Sequence, residues 1–120
     1  LTFSLDEKQL FINDTDRGHI RVFDVADDGS ISGGDVWAVP EGSGSGGCDG
    51  MKLDSEGNIY CTGPGGIHIY APDATALGVI QVPEVVANFT WGDDDLKSLY
   101  ITASTSLYRT RVNVAGPSIS

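Results

Sequence analysis

The chain has 120 residues, the size of one domain at most. It is strongly acidic, with 17 Asp and Glu against 7 Lys and Arg and a formal net charge of −10. That balance repels a polyanion and no basic stripe offsets it, which excludes nucleic acid as a partner. The sequence also lacks an apolar run of about 18 residues, the kind that crosses a membrane as a helix.

Apolar residues recur with period two rather than with helical period, and 16 Gly and 5 Pro punctuate them. Residues 1–4 alternate apolar and polar, and Ser4 to Lys8 supplies a turn. Leu10 to Asp14 and His19 to Val25 read as strands, Asp27-Asp28-Gly29 as a hairpin turn, and Asp35 to Val39 as a fourth strand. Pro40 to Gly47 is loop. The order then restarts: Met51 to Asp54, Asn58 to Thr62, Ile67 to Tyr70 and Leu77 to Val82. After Pro83 it restarts again, with strands at Asn88 to Trp91, Leu99 to Thr102 and Ser106 to Val112.

The second strands carry Leu10-Phe11, Ile59-Tyr60 and Leu99-Tyr100, which stand 49 and 40 residues apart. A four-strand unit repeating at that interval is a propeller blade. The expected architecture is all-β: blades at 1–40 and 49–82, and an incomplete one of three strands at 88–112. Propellers close with about 4–8 blades, so three do not make a ring. The chain also opens inside a strand without an initiator Met and reads as a fragment of a longer protein, whose missing blades are then its first partners. Assembly from copies of itself is the other way to close the ring.

Several features read as structural. Cys48 and Cys61 lack the spacing of a disulfide framework or a zinc ribbon and are expected as free thiols. His19 and His68 are expected as exposed strand residues, and Asp93-Asp94-Asp95 as a solvated turn. Asp14 and Thr15 are expected to bond backbone at a strand end. Trp37, Trp91, Phe3 and Phe89 are assigned to packing between blades.

The stretch from Gly46 to Asp54 joins a Gly/Ser loop to a short apolar strand, with Asp49 at the junction. An Asp before a Gly is commonly only a turn residue; at the mouth of a buried strand it can instead turn its oxygens into a cavity. Asn88 enters the third unit one step past the matching position and is the second candidate, as a substrate contact or as a structural amide.

Asp49-Gly50-Met51-Lys52-Leu53-Asp54 with Glu56-Gly57-Asn58-Ile59-Tyr60 resembles the most recognisable motif of the senescence marker protein-30 (regucalcin), gluconolactonase and luciferin-regenerating enzyme family. Leu1 to Lys8 followed by Leu10 to Thr15 resembles the middle of a gluconolactonase, and Gly63 to Ile67 and Ile101 to Tyr108 are similar to the family's bacterial branch. The resemblance implies a six-bladed propeller with one divalent cation (Ca, Mg, Mn or Zn) in its channel and a sugar lactone as substrate. It implies a cation held by a Glu of the first blade, an Asn of a Pro-Asn-Gly turn and the Asp of the Asp-Gly-Met motif. Only the last maps onto this sequence, at Asp49, which the family uses as metal ligand and acid/base; Cys48 stands where Pro is common. The expected activity is lactone hydrolysis by a metal-activated water in the full-length protein. This chain alone is expected to be inactive and to bind metal weakly, since Ca takes about 6–8 oxygens. The alternative is a non-catalytic propeller that presents loops to a protein partner.

Overall fold

A computed structural model describes residues 1–118. They form eleven strands in three antiparallel sheets. The first sheet is β1 (Thr2–Phe3), β2 (Gln9–Asp14), β3 (His19–Val25) and β4 (Ile31–Ala38), hydrogen-bonded in chain order. The second, again in order, is β5 (Met51–Leu53), β6 (Ile59–Gly63), β7 (Gly66–Tyr70) and β8 (Ala76–Gln81). The third has three strands: β9 (Val86–Gly92), β10 (Ser98–Ala103) and β11 (Leu107–Arg111).

Each hairpin folds for local reasons. Asp28 Oδ1 accepts from the Ser30 amide at 2.9 Å while Gly29 takes φ +85°, closing the β3–β4 turn. Strand β4 starts earlier than the sequence suggests, because Gly33 and Gly34 lie inside it rather than in a turn. They adopt φ +86° and +101°, and the ladder with β3 shifts register between Val22 and Phe23. These glycines thus accommodate a bulge.

The sheets pack face to face through two apolar clusters. Phe11, Ile20, Met51, Ile59, Cys61 and Tyr70 join the first sheet to the second. Tyr60, Ile67, Phe89, Trp91, Leu99 and Ile101 join the second to the third. Period two explains this: Ile59 and Cys61 face one neighbour and Tyr60 the other, so every residue of β6 is buried. Aromatic edges seal both seams, Trp37 lying 4.8 Å from Phe11 and Tyr60 lying 5.0 Å from Trp91. Phe3 departs from the packing role expected of it. It is 44% exposed, and it lines an open cavity of about 680 Å³ that residues of β1, β5 and β9 share.

Those three are the inner strands of three radial sheets, and the architecture is a partial β-propeller. Both cysteines are free and buried, packed in the first cluster.

Candidate functional site

Asp49 sits just before β5, on a loop that crosses from the outer strand of one blade to the inner strand of the next. The three sheets together hold the backbone of Asp49 and its neighbours Cys48 and Gly50. Asn13 Nδ2, on β2, donates to the Asp49 carbonyl at 2.5 Å. Thr15, just past β2, donates to the Cys48 carbonyl at 2.6 Å. From β6, Thr62 Oγ1 accepts from the Asp49 amide and donates to the Gly47 carbonyl, both at 2.8 Å. The Thr62 amide donates to the Gly50 carbonyl, and the Gly50 amide to the Ala87 carbonyl on β9, each at 3.0 Å. Every polar backbone group of Asp49 and Gly50 is therefore bonded.

The Asp49 side chain is exposed, and among the described residues its carboxylate accepts no hydrogen bond. Other aspartates in the chain behave differently. Asp6, Asp28, Asp54, Asp73 and Asp95 each accept, through Oδ1, from the amide two residues on. Hydroxyl or guanidinium partners first, and those turn bonds second, hold Asp6, Asp28, Asp73 and Asp95 below the usual carboxylate range. Asp49 closes no turn with its side chain.

Asn88 lies against the same peptide. A Cβ at Gly50 would meet Asn88 Oδ1 at 2.6 Å and Asn88 Cα at 2.9 Å, so only glycine lets β9 approach this closely. The Asn88 side-chain oxygen accepts from the Phe89 amide at 2.9 Å, and Thr102 Oγ1 donates to the Asn88 carbonyl at 3.1 Å. Its Nδ2 has no acceptor among the described residues and is exposed. The structure thus brings both candidates to the inner edge of adjoining sheets, separated by Gly50.

The loop before Asp49 is fitted to the β6–β7 turn. Gly46 takes φ +120°, and a Cβ there would lie 2.8 Å from the Gly63 carbonyl oxygen. Behind Asp49, Cys61 Sγ donates to the Thr62 carbonyl at 3.4 Å, and the neighbouring buried thiols of Cys48 and Cys61 act on each other, lowering the Cys48 pKa and, with burial, raising that of Cys61.

Both histidines depart from the exposed positions expected. His68 is 5% exposed, with Nε2 2.8 Å from the Pro64 carbonyl, because β7 is covered on its first-sheet face. His19 is half-buried, with Nε2 4.0 Å from Asp14 Oδ2. Asp14 and Thr15 bond backbone at the strand end, Asp14 accepting from the Arg17 amide at 3.0 Å. The aspartates at 93–95 do more than face solvent. Asp93 accepts from Tyr100 Oη at 2.7 Å, and Asp95 binds both terminal nitrogens of Arg111.

Sequence reasoning passed over Thr62 and Asn13. A Thr closing the otherwise apolar run Ile59-Tyr60-Cys61 was the available signal for the first. Among the described residues no group of three or more His, Cys, Asp and Glu stands close enough to hold a metal. Asp49 supplies hard carboxylate oxygens, which fit a hard divalent cation in kind, though too few to enclose it.

The sequence pattern of the SMP-30/Gluconolactonase/LRE-like region matches residues 1–105. A gluconolactonase of Zymomonas mobilis is 37% identical over 70 residues, which cover 57% of this chain and 19% of that protein. A gluconolactonase from Xanthomonas campestris superposes with TM-score 0.76 at 28% identity, over 89% of this chain and 35% of the other. A luciferin-regenerating enzyme superposes with TM-score 0.83 at 23% identity, over 95% of this chain and 45% of its own. The chain thus spans less than half the length of each of these proteins, and within that span it belongs to the SMP-30/gluconolactonase/LRE-like family.

Proposed function

We propose that this chain forms part of a sugar-lactone hydrolase and that Asp49 is its acid/base. One observation carries the reading: Asp49 has a fully bonded backbone and an unbonded carboxylate at the inner edge of the sheets. A carboxylate held by its main chain alone is aimed without being neutralised, which is what a proton-transfer group requires. Asp49 takes a proton from the attacking water as the new C–O bond forms at the lactone carbonyl. It then returns that proton to the ring oxygen as the ring C–O bond breaks, giving the open-chain hydroxy acid. Asn88 offers its free Nδ2 as a donor to a substrate hydroxyl or carbonyl oxygen.

A divalent cation (Ca, Mg, Mn or Zn), when bound, supplies polarisation of the carbonyl and a more acidic water. Asp49 is the residue of this chain that would hold it, with further ligands from outside the chain. Similarity to gluconolactonases from two bacteria supports the lactone as substrate class.

The test is Asp49→Ala in the full-length protein, assayed for lactone hydrolysis by acid release. The expected loss of kcat is at least about 100-fold, the usual scale for a general acid/base, with the thermal midpoint of the cation-free protein within about a degree of the parent because the carboxylate has no protein partner to lose. Retained turnover would rule the role of Asp49 out, and a parent protein that hydrolyses no lactone would favour a binding propeller.

A further inference from the structure

The packing around Asp49 also dictates the residue that follows it. A Cβ at position 50 would meet Asn88 Oδ1 at 2.6 Å and the Ala87 carbonyl oxygen at 2.9 Å, so that residue has to be glycine. An aspartate followed by glycine is the pair least hindered against its own cyclisation. The glycine amide nitrogen attacks the aspartate Cγ, a C–N bond forms as a carboxyl C–O bond breaks, and water leaves with the amide proton. Water then opens the cyclic imide. Attack at the former carboxyl carbon restores aspartate. Attack at the main-chain carbonyl carbon leaves isoaspartate, in which the main chain runs through the side chain.

Both reacting groups are present at Asp49-Gly50. The Asp49 carboxylate is exposed and, among the described residues, accepts no hydrogen bond that would occupy it. The peptide unit that carries the attacking nitrogen is held from two sides. Its oxygen accepts from Asn13 Nδ2 on the first sheet at 2.5 Å, and its N–H donates to the Ala87 carbonyl on the third sheet at 3.0 Å. A peptide unit is planar and turns as one body, so its nitrogen swings toward Cγ only when both bonds break. Asp28-Gly29 is the contrast within the same chain. There the Gly29 amide bonds the Ala26 carbonyl at 2.9 Å inside one hairpin, and Ser30 already occupies the carboxylate. That restraint is local and does not involve the docking of sheets.

We infer that Asp49-Gly50 is a modification site, which forms isoaspartate spontaneously when the first and third sheets release its peptide and is closed to the reaction while they hold it. The inference stands on these bonds alone and is independent of the lactone-hydrolase reading. Its product carries an extra methylene in the main chain, which displaces the carboxylate from the position the sheets give it.

The full-length protein is incubated at neutral pH with a chelator, so that only its own bonds restrain the site, and in parallel in urea. Digestion and electron-transfer mass spectrometry follow isoaspartate at positions 49 and 28 with time. At position 49 the native rate should lie at least about tenfold below the urea rate, because the reaction draws on the open population alone. Asn13→Ala should raise the native rate at position 49 about fivefold, the weight of one hydrogen bond in an opening equilibrium, and leave position 28 unchanged. Asn13→Ser takes its place if a thermal melt shows that the alanine variant does not fold, and the parent comparison decides alone if neither folds. Equal native and urea rates at position 49 overturn the inference. So does a folded Asn13 variant whose rate at position 49 is unchanged, or rises only in step with that at position 28.

Discussion

Replacing Thr62 by Val tests whether the loop geometry aims Asp49. The two side chains have nearly the same shape, so the change removes a hydroxyl and leaves no large cavity. Thr62 is fully buried, and its Oγ1 makes two bonds of 2.8 Å, one from the Asp49 amide and one to the Gly47 carbonyl. Each bond is worth about 1 kcal/mol net, and each partner left unsatisfied costs about 1–3 kcal/mol if water cannot reach it. Asp49 is exposed and Gly47 half-buried, so water recovers part of that. The expected destabilisation is about 2–4 kcal/mol in total. Urea unfolding followed by tryptophan fluorescence reads it, since Trp91 is buried in the second seam. In the full-length protein kcat should fall more than KM rises, because the carboxylate loses its aim while the substrate contacts remain. Thr62→Ser keeps the hydroxyl and should recover most of both effects. A Thr62→Val protein within about 0.5 kcal/mol of the parent, the usual range of a neutral surface change, would refute the reasoning; so would a Ser variant as impaired as the Val one.

Two further outcomes follow from bonds described above or from others of the same kind. Asp54 is fully buried, and its carboxylate accepts from the amides of Glu56 and Asn58, each at 3.0 Å, and from Asn58 Nδ2 at 2.9 Å. Asp54→Ala should cost about 3 kcal/mol in the same unfolding assay, with Asp54→Asn intermediate, and an Ala variant as stable as the parent would contradict that account. Glu84 accepts from the Thr105 amide at 3.0 Å, the Thr105 hydroxyl and Tyr108 Oη at 2.5 Å, which holds it down to about 2. A depressed carboxylate adds stability that is fully present above its ordinary pKa and is lost as pH falls toward the folded value. Unfolding midpoints should therefore decline from about pH 4.5 down to about pH 2 with a smaller slope in Glu84→Gln; parallel curves would show that the bonds carry no linkage. Asp95, held to about 2 by Arg111 and the Lys97 amide, contributes over the same acid range in both proteins.

Much of the fold is written in the chain as period and punctuation. The 49- and 40-residue spacings locate the three sheets, and the alternation in Ile59-Tyr60-Cys61 already divides one strand between two neighbours. What could not be read is contact across sheets. Gly33-Gly34 looks like a turn in one dimension, and only the register with β3 shows it as a bulge. His68 looks like an exposed polar residue until the first sheet covers it. The candidate site divides the same way. Position 49 stands out as an Asp before Gly, yet Asp28 has the same local pattern and bonds a turn. The difference lies in Asn13, Thr62 and Ala87, which satisfy the main chain at Asp49 and Gly50 from 36, 13 and 37 residues away and leave the side chain free. No short window of sequence holds that information.

The three-way tether on the Asp49 loop has a mechanical consequence. Because one dipeptide is pinned to three separate sheets, a few degrees of splay between any two of them pulls on the same short piece of main chain. The carboxylate is in effect the needle of a gauge that registers how tightly the wheel is drawn together. Mild denaturant or a weakened seam should therefore silence turnover while the individual sheets are still folded.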